Sequence, residues 1–190
     1  DDGSPPVVVP IEGTTPKIFR TILRYVYGEE VPPEIMGTIA ADTETVHECK
    51  HIIDAADRYG IVGLKLATEA ALVESMMITS KNVVDWLVFA DSKTCPLLKE
   101  QATAYFLTRS RDILESESSK HLRESPELLT ELMIQISTAS SSDGGRFGVE
   151  RIASVDELRK QLDEKGLDID GSKEMLISRL RESNKGGRDD

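Results

Sequence analysis

Cysteine occurs only twice, at Cys49 and Cys95. Two thiols this far apart, each in or beside a helical pattern, are not the framework of a small disulfide-stapled secreted domain. They read instead as core thiols in a reducing compartment. Histidine occurs three times, and neither a Gly-x-Ser-x-Gly elbow nor a phosphate-cradling glycine loop is present. That leaves little for a Ser-His-Asp or Cys-His arrangement, so no catalytic residues and no cofactor are expected. No run approaches the roughly 20 apolar residues of a membrane span. Basic residues do not dominate either, because the formal net charge is -11. A surface of that sign repels DNA and anionic membrane as a whole, so any nucleic-acid contact must be local. The opening Asp1-Asp2-Gly3-Ser4 is neither a signal peptide nor a natural initiator, and is expected to follow a missing beginning.

What is present is enough for one ordinary domain and a small module: 190 residues, 39% of them hydrophobic. Charge divides them. Up to Glu150 the chain has 14 basic and 24 acidic residues, and beyond it 9 and 10, two of those acids being the terminal Asp189 and Asp190. A slightly basic segment therefore follows a strongly acidic one.

The expected organisation is a disordered start (1–6), a main domain (7–136), a Ser/Gly linker (137–149), a second module (150–184) and a disordered tail (185–190). Val7-Val8-Val9, stopped by Pro10, reads as one short strand. From there the pattern is helical. Thr15 is a candidate N-cap with Pro16 at N1, and Phe19, Ile22, Leu23 and Val26 are expected to form the inward face. Thr45 opens a helix burying Val46, Cys49, Ile52, Ile53 and Ala56, with Gly60 after its end. An Ala- and Leu-rich helix runs from about Gly63 to Ser75. Thr79 or Ser80 caps the next, which carries Val83, Val84, Leu87 and Val88. Cys95-Pro96 turns into another with Leu98, Ala102, Tyr105 and Phe106. After Ser125-Pro126-Glu127 the stripe is Leu128, Leu129, Leu132, Met133 and Ile136. Trp86 and Phe89 are expected to pack between hairpins. The Ser/Gly run from Ser137 to Gly145 holds nothing larger than Ala that could join a core.

In the second module, Ser154-Val155-Asp156-Glu157 has capping-box spacing, Leu158 and Leu162 lie at i, i+4, and Gly166 closes the helix. Leu167-Asp168-Ile169-Asp170-Gly171 forms an extended turn. Ser172 then opens a second helix with Leu176 and Leu180, again at i, i+4.

His47-Glu48-Cys49-Lys50-His51 fits the H-E-x-x-H spacing of zinc hydrolases. A catalytic zinc needs a third protein ligand, and nothing marks Glu69 or Glu74 as one. The histidines read as polar-face residues, and no metal site is assigned.

Pro16 to Tyr27, Ile53 to Lys65, Asn82-Val83-Val84 and Leu97-Leu98-Lys99 together resemble the rear half of a BTB/POZ domain and the BACK-like helices that follow it, closest to the speckle-type and MATH-linked members. The fold implied is mainly α: an incomplete BTB/POZ (α+β) domain with stacked helical hairpins. The resemblance implies a non-catalytic adaptor that self-associates and holds a cullin scaffold in a ubiquitin ligase, with Tyr27, Val31 and Pro32 in the cullin-facing region. Ser154 to Leu180 resembles a SAP motif, a helix–extended loop–helix associated with nuclear, chromatin-linked proteins and with DNA. Lys165, Gly171, Ser172, Lys173, Arg179 and Arg181 are then the candidate nucleic-acid-binding residues, with backbone N–H groups of the second helix offered to a phosphate. Asp163, Glu164, Asp168, Asp170 and Glu174 oppose a polyanion, so the expected DNA binding is micromolar or weaker and strongly salt-dependent. The alternative is a BTB-containing chromatin or transcription regulator without a ligase role.

Overall fold

The computed structural model describes residues 11–28, 43–75, 78–140 and 153–186, and over these the chain forms ten helices and no strand. The expected mainly α architecture holds among these residues. The Val7–Val9 strand and the Val31-Pro32 loop lie outside them.

Helix α1 (Pro16–Val26) starts as its sequence dictates. Thr15 is extended, its hydroxyl accepts from the Ile18 N–H at 3.3 Å, and Pro16 occupies a position whose N–H would have no helical partner. Its inward face, however, is Ile18 and Ile22, with Tyr25 packed beside them. Leu23 and Val26, expected inward, are 39% and 59% exposed. The helix is apolar on two faces, and the row at i, i+4, i+7 from Ile18 is the one that meets the next helix. Helix α2 (Thr43–Arg58) packs on α1 and buries Cys49, Ile52, Ile53 and Ala56 as expected. Gly60, at φ +67°, ends it and lets the Ile61 N–H reach back to the Ala56 carbonyl at 2.8 Å.

Helix α3 (Val62–Ser75) is apolar on nearly every side because it is covered on more than one: α2 packs on it, and so does α5 (Pro96–Thr108). Helix α4 (Val83–Ser92) forms a hairpin with α5. Its start differs from expectation. Neither Thr79 nor Ser80 caps it; the Asn82 side-chain oxygen instead accepts from the Thr79 N–H at 2.7 Å, and the helix begins one residue later. Two short helices, α6 (Ser110–Glu115) and α7 (Ser119–Arg123), lie between segments with readable periodicity. Each contributes one core residue, Ile113 and Leu122. Helix α8 (Pro126–Ser140) buries Leu128 and Leu132 but turns Met133 outward, and it continues into the segment expected as linker. There the Ser137 hydroxyl donates to the Met133 carbonyl at 2.9 Å and Thr138 to that of Gln135 at 3.0 Å, so the small polar side chains are satisfied within the helix by back-bonding.

Trp86 is 4% exposed and sits edge-on to Phe89. The Lys50 ammonium lies 4.0 Å from the Trp86 ring centroid and 5.0 Å from that of Phe89, which makes the pair a packed cation–π site rather than an open anchor. Burial lowers the Lys50 pKa from its ordinary value, with Asp85 opposing.

Both thiols are buried. Burial pushes Cys49 up to about 11, with Glu48 adding to the rise, and Cys95 up to about 12, with Glu69 adding. The folded chain therefore keeps thiol protons that the unfolded chain loses. Stability is full below the ordinary thiol pKa and declines as pH rises from there toward 11. Each thiol is expected to remove about 1 kcal/mol over the first pH unit of that window. Urea midpoints compared between neutral pH and one unit above the ordinary thiol pKa should fall more for the native sequence than for a C49A/C95A variant, and equal falls would refute this.

Candidate nucleic-acid interface

Helices α9 (Val155–Asp163) and α10 (Lys173–Gly186) form the C-terminal pair. The Ser154 hydroxyl accepts from the Glu157 N–H at 3.3 Å, so the serine half of the capping box is made. Gly166, at φ +65°, closes α9 while the Leu167 N–H returns to the Leu162 carbonyl at 2.9 Å. In the loop, the Asp168 carboxylate accepts from the Asp170 N–H at 3.0 Å. Gly171 is buried at φ +118°, a conformation that favours glycine, and a Cβ there would sit a tight 3.2 Å from the Met175 sulfur. The Ser172 hydroxyl accepts from the Met175 N–H at 3.4 Å and begins α10.

The pair is docked on the helical hairpins. Val155, Leu158, Leu162 and Leu176 share one apolar cluster with Leu97 of α5, against which Ala70 and Val73 of α3 also pack. Polar contacts surround that cluster. Arg159 donates to Glu69 at 2.8 Å, and the other Glu69 oxygen accepts the N–H groups of Leu97 and Leu98 at 2.9 and 3.1 Å. Glu69 is thus a buried cap for α5 and an anchor for α9 at once. Glu100 accepts from the Val155 N–H at 3.0 Å with one oxygen and from Lys173 at 2.5 Å with the other. Lys65, only 3% exposed, bonds Asp57 at 2.8 Å and faces Asp170 at 3.5 Å. Burial lowers its pKa, but the Asp57 hydrogen bond and the Asp170 charge outweigh that and raise it above the ordinary lysine value.

The expected nucleic-acid residues divide by this geometry. Gly171, Ser172 and Lys173 come together at the start of α10, with Lys173 on Glu100. Arg179 turns inward to the loop, pairing with the Asp168 carboxylate at 2.8 Å and donating to the carbonyls of Asp168 and Asp170. Its role is to hold the loop. Lys165 reaches Ser183 at 3.3 Å and Asn184 at 2.7 Å, tying the end of α9 to α10. Arg181 is exposed. Glu69, Glu100, Arg159 and Lys65 were not candidates. The available signal was a single acid set within the apolar run Ala67 to Val73, since a charge there has no solvent-facing side to occupy.

Among the partner-facing candidates, Tyr27 is 83% exposed at the end of α1, beside Val26, while Val31 and Pro32 lie outside the described residues. His47 and His51 are exposed with ring centroids 4.4 Å apart, and Glu48 pairs with Lys17 at 2.7 Å. No group of three or more His, Cys, Asp or Glu is placed to hold a metal among the described residues. None of the described helices is long and apolar enough to cross a membrane.

Residues 154–185 match the SAP domain family. Most of the chain is similar to BTB/POZ proteins. It is 31% identical over 150 residues to BTB/POZ and MATH domain-containing protein 3 of Arabidopsis thaliana, covering 76% of this chain and 36% of that protein. It is 27% identical over 135 residues to TD and POZ domain-containing protein 1 of Mus musculus, covering 70% and 34%. With protein maternal effect lethal 26 of Caenorhabditis elegans the identity is 30% over 105 residues, covering 55% and 26%. The chain thus spans about a third of the length of the first two of these relatives.

Proposed function

We propose that the chain is part of a non-catalytic adaptor whose BTB-related helices engage proteins and whose SAP module carries it to nucleic acid. The observation that carries the nucleic-acid half is the complete SAP module from Ser154 through α10, with Gly171, Ser172 and Lys173 gathered at one helix start. Backbone N–H groups at that end and the Lys173 ammonium suit a phosphate, without reading base sequence. Leu23 and Val26 on α1 and Tyr27 just after its end, all exposed, support a protein-facing role for the first helix. In the parent protein this is the expected face for a cullin scaffold, with a nuclear place of action, self-association through the BTB part and a ubiquitin-ligase substrate as cargo.

Fluorescence titration of the whole chain with A/T-rich duplex tests the nucleic-acid half. With one or two phosphate contacts the logarithmic salt slope should be about -1 to -2, and affinity should be micromolar or weaker. Absence of binding at both low and physiological salt would overturn it. For the ligase half, affinity capture with the full-length parent protein should recover a cullin; recovery of none rejects that role.

A further inference from the structure

The contact between Glu100 and the two helix starts of the SAP module has a consequence for when that module is available. Among the described residues Glu100 is the carboxylate that bonds both of them: its oxygens take the Val155 N–H, at the first turn of α9, and the Lys173 ammonium, at the first turn of α10. An anion therefore already occupies the Lys173 end of the module, and it comes from the chain itself. Lys173 is held with its side chain 25% exposed, against 28% for Glu100. The apolar side of the module is covered at the same time, by Leu97, Ala70 and Val73. Arg159, a further cation of α9, is drawn onto buried Glu69 and is 11% exposed. Beside Lys173, a cleft of about 300 Å³ is lined by Lys99, Glu100, Thr103, Glu131 and Ser172, and Lys99 there is neutralised by Asp91 at 2.8 Å and Glu131 at 2.6 Å. The wall facing Lys173 thus offers acid and no unbalanced base.

We infer that the docked arrangement is a closed state in which Glu100 stands where a nucleic-acid phosphate would bind, so that the helical hairpins and nucleic acid compete for the start of α10. The inference rests on the nucleic-acid reading of the SAP module given above. Competition of this kind is reciprocal. If Glu100 weakens duplex binding, duplex must weaken the Glu100 contacts by the same factor. It also needs no large motion, because swinging the Glu100 carboxylate away from the phosphate breaks the Lys173 ion pair and, since the same group takes the Val155 N–H, that bond with it.

The test uses the whole chain and short A/T-rich duplex. Glu100→Gln removes the pairing charge but keeps a carbonyl oxygen for the Val155 N–H. Glu174→Gln removes the same charge one residue from Lys173 on the exposed side of α10, and so controls for simple loss of repulsion. The closed state predicts that E100Q binds duplex about 5-fold or more tighter than the native chain. The salt slope should steepen by about 1, for one added phosphate contact, and E174Q should gain less. Hydrogen exchange at the Val155 amide should quicken when duplex is added to the native chain. Equal gains for the two variants, or a Val155 amide indifferent to duplex, would overturn the closed state while leaving the nucleic-acid reading intact. No duplex binding by any of the three proteins, with thermal unfolding confirming each is folded, would remove both.

Discussion

Replacing Glu69 with alanine is expected to lower the unfolding free energy by about 3–5 kcal/mol, the usual cost of removing one partner from a buried ion pair. Glu69 is fully buried, and it bonds the Leu97 and Leu98 N–H groups and Arg159. Its Oε1 accepts the N–H groups of Leu97 and Leu98 in the first turn of α5, where no carbonyl of the helix itself is available. Alanine leaves both donors without their partner in a buried site, at roughly 1–3 kcal/mol for each unsatisfied group before any relaxation. The same change strands Arg159, whose pairing with Oε2 spans the seam between α3 and α9. Arg159→Ala makes the informative contrast. It leaves Glu69 with both backbone donors and loses only the compensating cation, so its cost should be smaller than that of the Glu69 variant, which loses the ion pair and the partner of both N–H groups together. Chemical denaturation followed by Trp86 fluorescence measures both. Equal losses for the two variants would show that the α5 cap is not the larger part of the role of Glu69.

The same residue shows where the sequence is legible and where it is not. Signals confined to one turn of chain are sound: Thr15 and Ser154 cap, Gly60 and Gly166 terminate, and Leu158, Leu162 and Leu176 point inward, because each depends on spacings of three or four residues. The resemblances to BTB/POZ and SAP sequences rested on such local patterns, and comparison with known proteins agrees with them. What could not be read is which apolar face finds a partner. In α1 both Ile18–Ile22 and Phe19–Leu23 fit a helical stripe, and only packing against α2 chooses between them. Nor does periodicity show that Arg159 meets an acid 90 residues earlier, or Lys173 one 73 residues earlier. Those pairings decide that the module is docked and that its candidate phosphate site faces an internal carboxylate. Arg179 and Lys165 are candidates by charge, and charge alone does not tell a cation facing solvent from one folded back on its own loop.

Truncating Leu162 to alanine is expected to cost about 2–5 kcal/mol, and to show how the two parts of the chain support each other. Leu162 is fully buried in the cluster that joins α9 and α10 to Leu97, Ala70 and Val73. The matched module covers residues 154–185. A piece that short lies below the roughly 40 residues at which a domain usually holds together without disulfides, metals or a partner surface. It has no cysteine of its own, and here the hairpins provide the surface. A loss of this size should therefore unfold α9 and α10 first. The hairpins keep a core in which Leu98, Phe106 and Ile113 are all fully buried, none of it touched by the substitution. Trp86 is the single tryptophan and lies in α4, so its fluorescence reports the hairpins, whereas far-ultraviolet circular dichroism reports every helix. In the native chain the two transitions should coincide. In L162A helix should be lost before Trp86 responds, and the Trp86 midpoint should move by a smaller amount that measures what docking contributes to the hairpins. Transitions that stay coincident and shift together would instead make hairpins and module one cooperative unit. A variant within about 0.5 kcal/mol of the native chain would contradict the burial itself.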